Sequence, residues 1–243
     1  MSVNTRPYLN RTGYTYNEKS VYKFGYNPIV GTDAEDIWDE GGTYTFPSSS
    51  GVLGLTSSNS GDTSITIFVS GLDENYDEAS EIVTLDGTNP QTTKVDTQNQ
   101  YIRINRMYVT NSTEPTGDIY AGTGSLTTGK PANLQAKITA GENQTLMAIW
   151  TVPRNYTAYI TSLAITTGSS SVNKFATIKL KIREFNEVFR TQVVYTLQNT
   201  ALEVAYPVTI TANEKTDIKF NANTSSGTDA ISSNFSIIYK KNS

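Results

Sequence analysis

From about residue 43 onward, apolar and polar positions alternate with the two-residue period of β-strands, and Gly, Pro, Asn and Asp interrupt the runs at turn spacing. The clearest run is ATIKLKIREF at 176–185. Ala176, Ile178, Leu180 and Ile182 fall on one face and Thr177, Lys179, Lys181 and Arg183 on the other, which predicts a strand buried on one side and wet on the other. Similar patterns predict strands at 64–69, 81–85, 101–109, 134–140, 146–152, 158–166, 187–197, 202–210, 217–221 and 234–239. No run supports a helix longer than about two turns. The expected fold is all-β, an antiparallel β-sandwich or jelly roll over residues 41–243. The stretch TEPTGDIYAGTGSLTTGKP reads as loops around at most one short strand, and 115–131 is the best candidate for a boundary between two β subdomains.

Residues 1–40 break this pattern. Tyr8, Tyr14, Tyr16, Tyr22, Phe24 and Tyr26 are spaced by polar residues and Gly without a helix or strand period, and the segment ends in the acidic run TDAEDIWDE. The expectation is an extended N-terminal arm whose aromatics, with Trp38, bind a partner, since Tyr offers large contact area at low entropy cost and is enriched where chains meet. The competing reading is a loose terminus with incidental aromatics. On the arm reading, deleting residues 1–40 leaves a folded β domain.

Composition bears on function more than on fold. The 243 residues include no histidine and no cysteine. That excludes Ser-His-Asp arrangements, thiol nucleophiles, zinc-thiolate sites and disulfides, and it points away from an enzyme. A net charge of −4 and a pI near 5.0 give no general attraction to nucleic acid or anionic lipid. No run reaches the roughly 18 apolar residues of a membrane span, and MSVNTRPYLNRTGY has no apolar signal core, so the chain is expected to be made in a cytoplasm and to fold in solution.

Several motifs reduce to ordinary structure. Asp33, Glu35, Asp36, Asp39 and Glu40, and likewise Asp73, Glu74, Asp77 and Glu78, carry enough oxygens for calcium but lack the spacing of a calcium loop; solvation, or pairing with Lys and Arg of a neighbouring subunit, is the expectation. No carboxylate pair can be selected for glycoside hydrolysis by spacing on a β scaffold. GTGSLTTGK at 122–130 lacks the ending of a phosphate-binding loop, because Pro131 follows Lys130. Trp38, Tyr44 and Phe46 flank a Gly-Gly turn and read as a hydrophobic plug more readily than as a sugar-stacking platform. No cofactor or metal is implied.

The runs KFGYNP, EDIWDEGGTYTFP, VSGLDENYDEASEIVTLDGT, YIRINRMYVT and ITAGENQTLMAIWTVPRNYTAYI, in that order, resemble a family of structural proteins from tailed bacteriophages, marine ones among them. The similarity spans most of residues 23–160 and fades in the last third. Its motifs are turns and corners of hairpins rather than catalytic signatures, and Arg154-Asn155 departs from the small residue and Gly expected at the proline corner. The resemblance implies a place in the virion. With the size, the β class and the aromatic arm, the expectation is a capsid decoration or cement protein, a homotrimer bound to the major capsid protein. A tail adaptor or fibre component binding host glycan is the alternative.

Overall fold

The computed structural model describes residues 18–93, 100–168 and 173–242. Tyr8, Tyr14 and Tyr16 lie outside the described residues. No helix forms among the described residues, and every strand pairing is antiparallel.

In chain order the strands are β1 (Glu18–Val30), β2 (Glu35–Asp36), β3 (Gly54–Ser57), β4 (Thr63–Asp73), β5 (Glu78–Asp86), β6 (Gln91–Thr92), β7 (Tyr101–Val109) and β8 (Ile119–Thr127). They continue as β9 (Lys130–Ile138), β10 (Ile149–Thr151), β11 (Tyr156–Thr167), β12 (Ala176–Arg183), β13 (Arg190–Leu197), β14 (Ala201–Ala212), β15 (Asp217–Thr224) and β16 (Asp229–Lys241).

The chain divides into two compact units, and the boundary differs from the one expected at 115–131. The first unit takes the chain up to Ile37 and from Ala148 onward; the second is the continuous insert Trp38–Met147. Adjacent backbone bonds fix where the insert leaves and returns, Ile37 N donating to Phe220 O and Ala148 N to Ile37 O, at 3.0 and 2.9 Å.

In the first unit one sheet has the order β1-β16-β11-β14 and the other β10-β15-β12-β13, with β2 added to β15. Alternate positions of both sheets feed one hydrophobic cluster that includes Ile160, Leu163, Ile178, Leu180, Phe220 and Phe235. β12 carries the burial alternation that its sequence predicts. In the insert, β6-β3-β8-β9 form one sheet and β5-β4-β7 another, with Leu55, Ile67, Met107, Ile119 and Ile138 fully buried.

Two expectations fail here. The Gly- and Thr-rich stretch is a two-stranded hairpin, β8 to β9, closed by Thr128 and Gly129 with φ of +50° and +77°. Positive φ at both turn residues matches the twist of a two-residue hairpin, so these residue types mark a turn rather than a domain boundary. The arm is also not free over its described part. β1 runs antiparallel to β16 from Glu18 opposite Lys240 to Asn27 opposite Ile231, so these residues belong to a sheet.

The strand was hidden because its pattern is inverted. Lys23, Gly25 and Asn27 point inward and are buried, while Tyr22, Phe24 and Tyr26 point the other way. Gly25 is required at its position: a Cβ there would stand 2.2 Å from Ala148 N and 2.5 Å from Ile37 O. Asn27 is satisfied locally, its amide donating to Glu35 Oε2 at 3.1 Å and to Asp36 O at 3.3 Å.

Candidate functional surface

The outward face of β1 exposes large apolar side chains. Among the described residues β1 is an edge strand, bonded only to β16. Tyr22 is 56% exposed, Tyr26 38% and Ile29, just beyond, 63%; Phe24 is half-buried. The cross-strand neighbours of Tyr22, Phe24 and Tyr26 are Ser236, Asn234 and Ser232, small polar side chains that leave the rings uncovered. Tyr22 and Phe24 lie against each other with centroids 5.9 Å apart. Thus three of the expected partner-binding residues share one surface.

Beside these rings lies a shallow depression of about 550 Å³ lined by Ser20, Tyr22, Thr161, Ser162, Glu203 and Asn234, among others. It forms where Thr161 bulges out of β11: Ile160 pairs with Ile237 and Ser162 with Ser236, so one residue of β11 has no counterpart.

Trp38 does not belong to this surface. It is only 4% exposed, in the insert, where its indole N–H donates to Gly41 O at 2.6 Å and Tyr44 meets it edge-on at 5.1 Å. Tyr44, itself buried, meets Phe46 edge-on at 4.9 Å. A large ring with one satisfied donor serves as a packed plug, and Trp38 has little area to offer a partner.

Within the acidic run, Asp36 and Glu40 pair with lysines of their own chain, while Asp33 is exposed to solvent. Asp36 is fully buried; Lys219 Nζ reaches its Oδ2 at 2.7 Å and Asn221 Nδ2 donates to Oδ1 at 3.1 Å, which fastens β2 onto β15. Asp217 on the same strand takes both Arg183 Nε and Nη2, at 3.1 and 2.5 Å. In the insert, Glu40 pairs with Lys130, and with Lys137 at 3.5 Å; Lys137 also reaches Asp118 at 3.1 Å. Asp39 has Oδ1 buried without a hydrogen-bond partner, and burial pushes its carboxyl up to about 7 against the pull of Lys137. Asp73 folds back on its own turn, accepting from the amides of Asn75 and Asp77 at 2.8 and 2.9 Å. Among the described residues no three acidic side chains gather as ligands for an ion.

The insert contains a second concavity, lined in part by Trp38 and Phe46 of the aromatic group weighed above as plug or sugar-stacking platform. It has a volume near 580 Å³ and lies between residues 38–51 and the β8–β9 hairpin. Its polar residues are what the sequence does not reveal, because Ser, Thr, Asn and Gln spread over two distant segments look like ordinary loop composition.

No protein-family model matches the chain, and no curated protein matches it. Among solved structures, the chain is aligned with infectious bursal disease virus of the Gt strain at 9% identity, covering 93% of this chain and 78% of that one, with a TM-score of 0.20. The VP2 subviral particle of the same virus aligns at 10% identity over 93% and 77%, also at 0.20. Scores this low establish neither a shared fold nor a shared role.

Proposed function

We propose that the chain is a non-enzymatic structural protein of a tailed-phage particle, a capsid decoration or cement protein that bridges major capsid subunits and associates with its own copies as a trimer. One observation carries the reading: an edge strand that turns Tyr22, Phe24, Tyr26 and then Ile29 outward while burying Lys23 and Asn27. An apolar stripe on an edge strand is a liability for a protein that works alone, and a partner that covers it removes the liability. The resemblance of residues 23–160 to tailed-phage structural proteins supports the particle as the place of that partner. The absence of His and Cys from the sequence supports a role through surfaces. Each unit is read as a β-sandwich, two antiparallel sheets closing on a shared core.

Particles stripped of the protein test this. Wild-type protein should rebind them, while Tyr22→Ser with Tyr26→Ser should fold normally and rebind weakly. Burying one tyrosine gives about 1–3 kcal/mol, so losing two weakens binding by about thirtyfold or more. Equal rebinding by the variant would remove the β1 face from the account.

A further inference from the structure

The groove of the insert is not explained by a protein that acts through β1. Its volume, near 580 Å³, falls within the roughly 300–1,000 Å³ of small-ligand sites. The lining combines the half-buried ring of Phe46 with neutral polar side chains, among them Thr45, Asn133 and Gln135. Among the described residues its charged side chains are Glu40 and Lys130, which pair with each other.

Gln135 is the telling residue. It is the extra residue of a β9 bulge, since Ala136 pairs with Ala121 and Leu134 with Gly122. It is only 4% exposed, and its Oε1 is buried with no hydrogen-bond partner among the described residues. A buried amide oxygen without a donor is costly, and the broad last torsion of Gln lets the amide turn toward a donor that arrives in the groove. Asn133, exposed two residues earlier, adds a further amide, and Phe46 is held by Tyr44 edge-on and by Arg103 at 5.2 Å from its centroid.

We propose that this groove binds a neutral oligosaccharide. Sugar hydroxyls supply the donors that Gln135 Oε1 lacks, the amide of Asn133 pairs with hydroxyls in either direction, and the apolar face of a pyranose covers the Phe46 ring. Lys130, the cation that lines the groove among the described residues, is already paired with Glu40, so an acidic ligand gains little there. An added peptide strand is disfavoured although β9 is an edge, because Pro131 has no N–H to offer and the bulge at Gln135 breaks the ladder.

The full chain should be applied to an array of neutral and acidic glycans built on glucose, galactose, mannose and N-acetylglucosamine, with hits titrated calorimetrically. At least one neutral oligosaccharide should bind with a Kd below about 1 mM. Asn133→Ala and Phe46→Ala should each weaken it about tenfold or more without loss of the folded transition. Gln135→Leu should abolish binding while leaving thermal stability unchanged or higher, since it removes a buried oxygen that lacks a donor among the described residues. Asn133→Ala, at an exposed site, carries the test if Gln135→Leu does not fold. The proposal is overturned if no neutral glycan binds at about 10 mM, if Asn133→Ala and Phe46→Ala bind as wild type does, or if acidic glycans or an extended peptide occupy the groove in preference. Particle binding through β1 is read in a separate assay, so either idea can fail alone.

Discussion

Replacing Gly25 by alanine tests whether β1 is part of the first unit. The added methyl would stand 2.2 Å from Ala148 N, 2.5 Å from Ile37 O and 2.9 Å from Ala148 Cβ. The first two atoms are hydrogen-bonded to each other at 2.9 Å, at the point where the chain leaves and re-enters the unit. Backbone atoms cannot turn aside as a side chain would. Overpacking costs about 1–3 kcal/mol, and separating a buried N–H from its carbonyl adds about 1–3 kcal/mol, so the expected loss is about 2–6 kcal/mol. The chain has two tryptophans, Trp38 in the insert and Trp150 in the first unit. In a Trp38→Phe background, urea unfolding followed by fluorescence therefore reports on Trp150, which is 4% exposed and 5.4 Å from the ring of Tyr239. Gly42→Ala is the control. Its φ is +66° and its Cβ meets nothing within 4 Å, so it costs only the left-handed backbone, about 1 kcal/mol. A Gly25→Ala midpoint equal to that of the background protein would show that β1 is not seated as described.

Three further outcomes follow from buried groups. Asp36→Ala strands Lys219, which is 6% exposed, and should cost about 3–5 kcal/mol in urea, whereas replacing Asp36 and Lys219 together by Leu and Met should cost less than either single change. Asp39 has its folded carboxyl raised from 3.8 to about 7, so the folded state holds a proton that the unfolded state has released between those values. Stability therefore falls as pH rises through that window, by at most about 4 kcal/mol, and Asp39→Asn should flatten the fall when melting is followed from pH 4 to pH 8. Deleting residues 1–37 removes β1 and Ile37 from the first unit and should unfold it, with loss of the cooperative Trp150 transition; a folded truncation would restore the independent arm.

How far the sequence reveals the fold depends on whether each strand buries its own apolar face. β12 does, and its alternation gives both the strand and its orientation. β1 does the reverse: a reader of hydrophobicity places Tyr22, Phe24 and Tyr26 inside or on a partner, and no local rule says that Gly25 is inside because Ala148 and Ile37 leave no room. The β8–β9 hairpin is masked by Gly and Thr, which serve equally in loops. The insert cannot be read from composition, because its boundary is a backbone bond between Ile37 and Ala148. The partner of Asp36 is equally hidden, since Lys219 lies 183 positions away. As for the surface residues, Tyr22, Phe24 and Tyr26 fall on one face of β1, with Tyr22 and Tyr26 exposed and Phe24 half-buried, whereas Trp38 is packed in the insert; aromatic character alone does not separate the two cases. Gln135 carries no sequence signal, because only the bulge and the absence of a donor set it apart.

The central claim is that the outward face of β1 is where this chain meets its neighbours in a particle. Cryo-electron microscopy of the intact particle, at a resolution that separates side chains, tests it most directly. The account predicts density for this chain on the capsid, with Tyr22, Phe24 and Tyr26 covered by a neighbouring subunit. Density for the chain on the tail alone, or on the capsid with those three rings facing solvent, would contradict it.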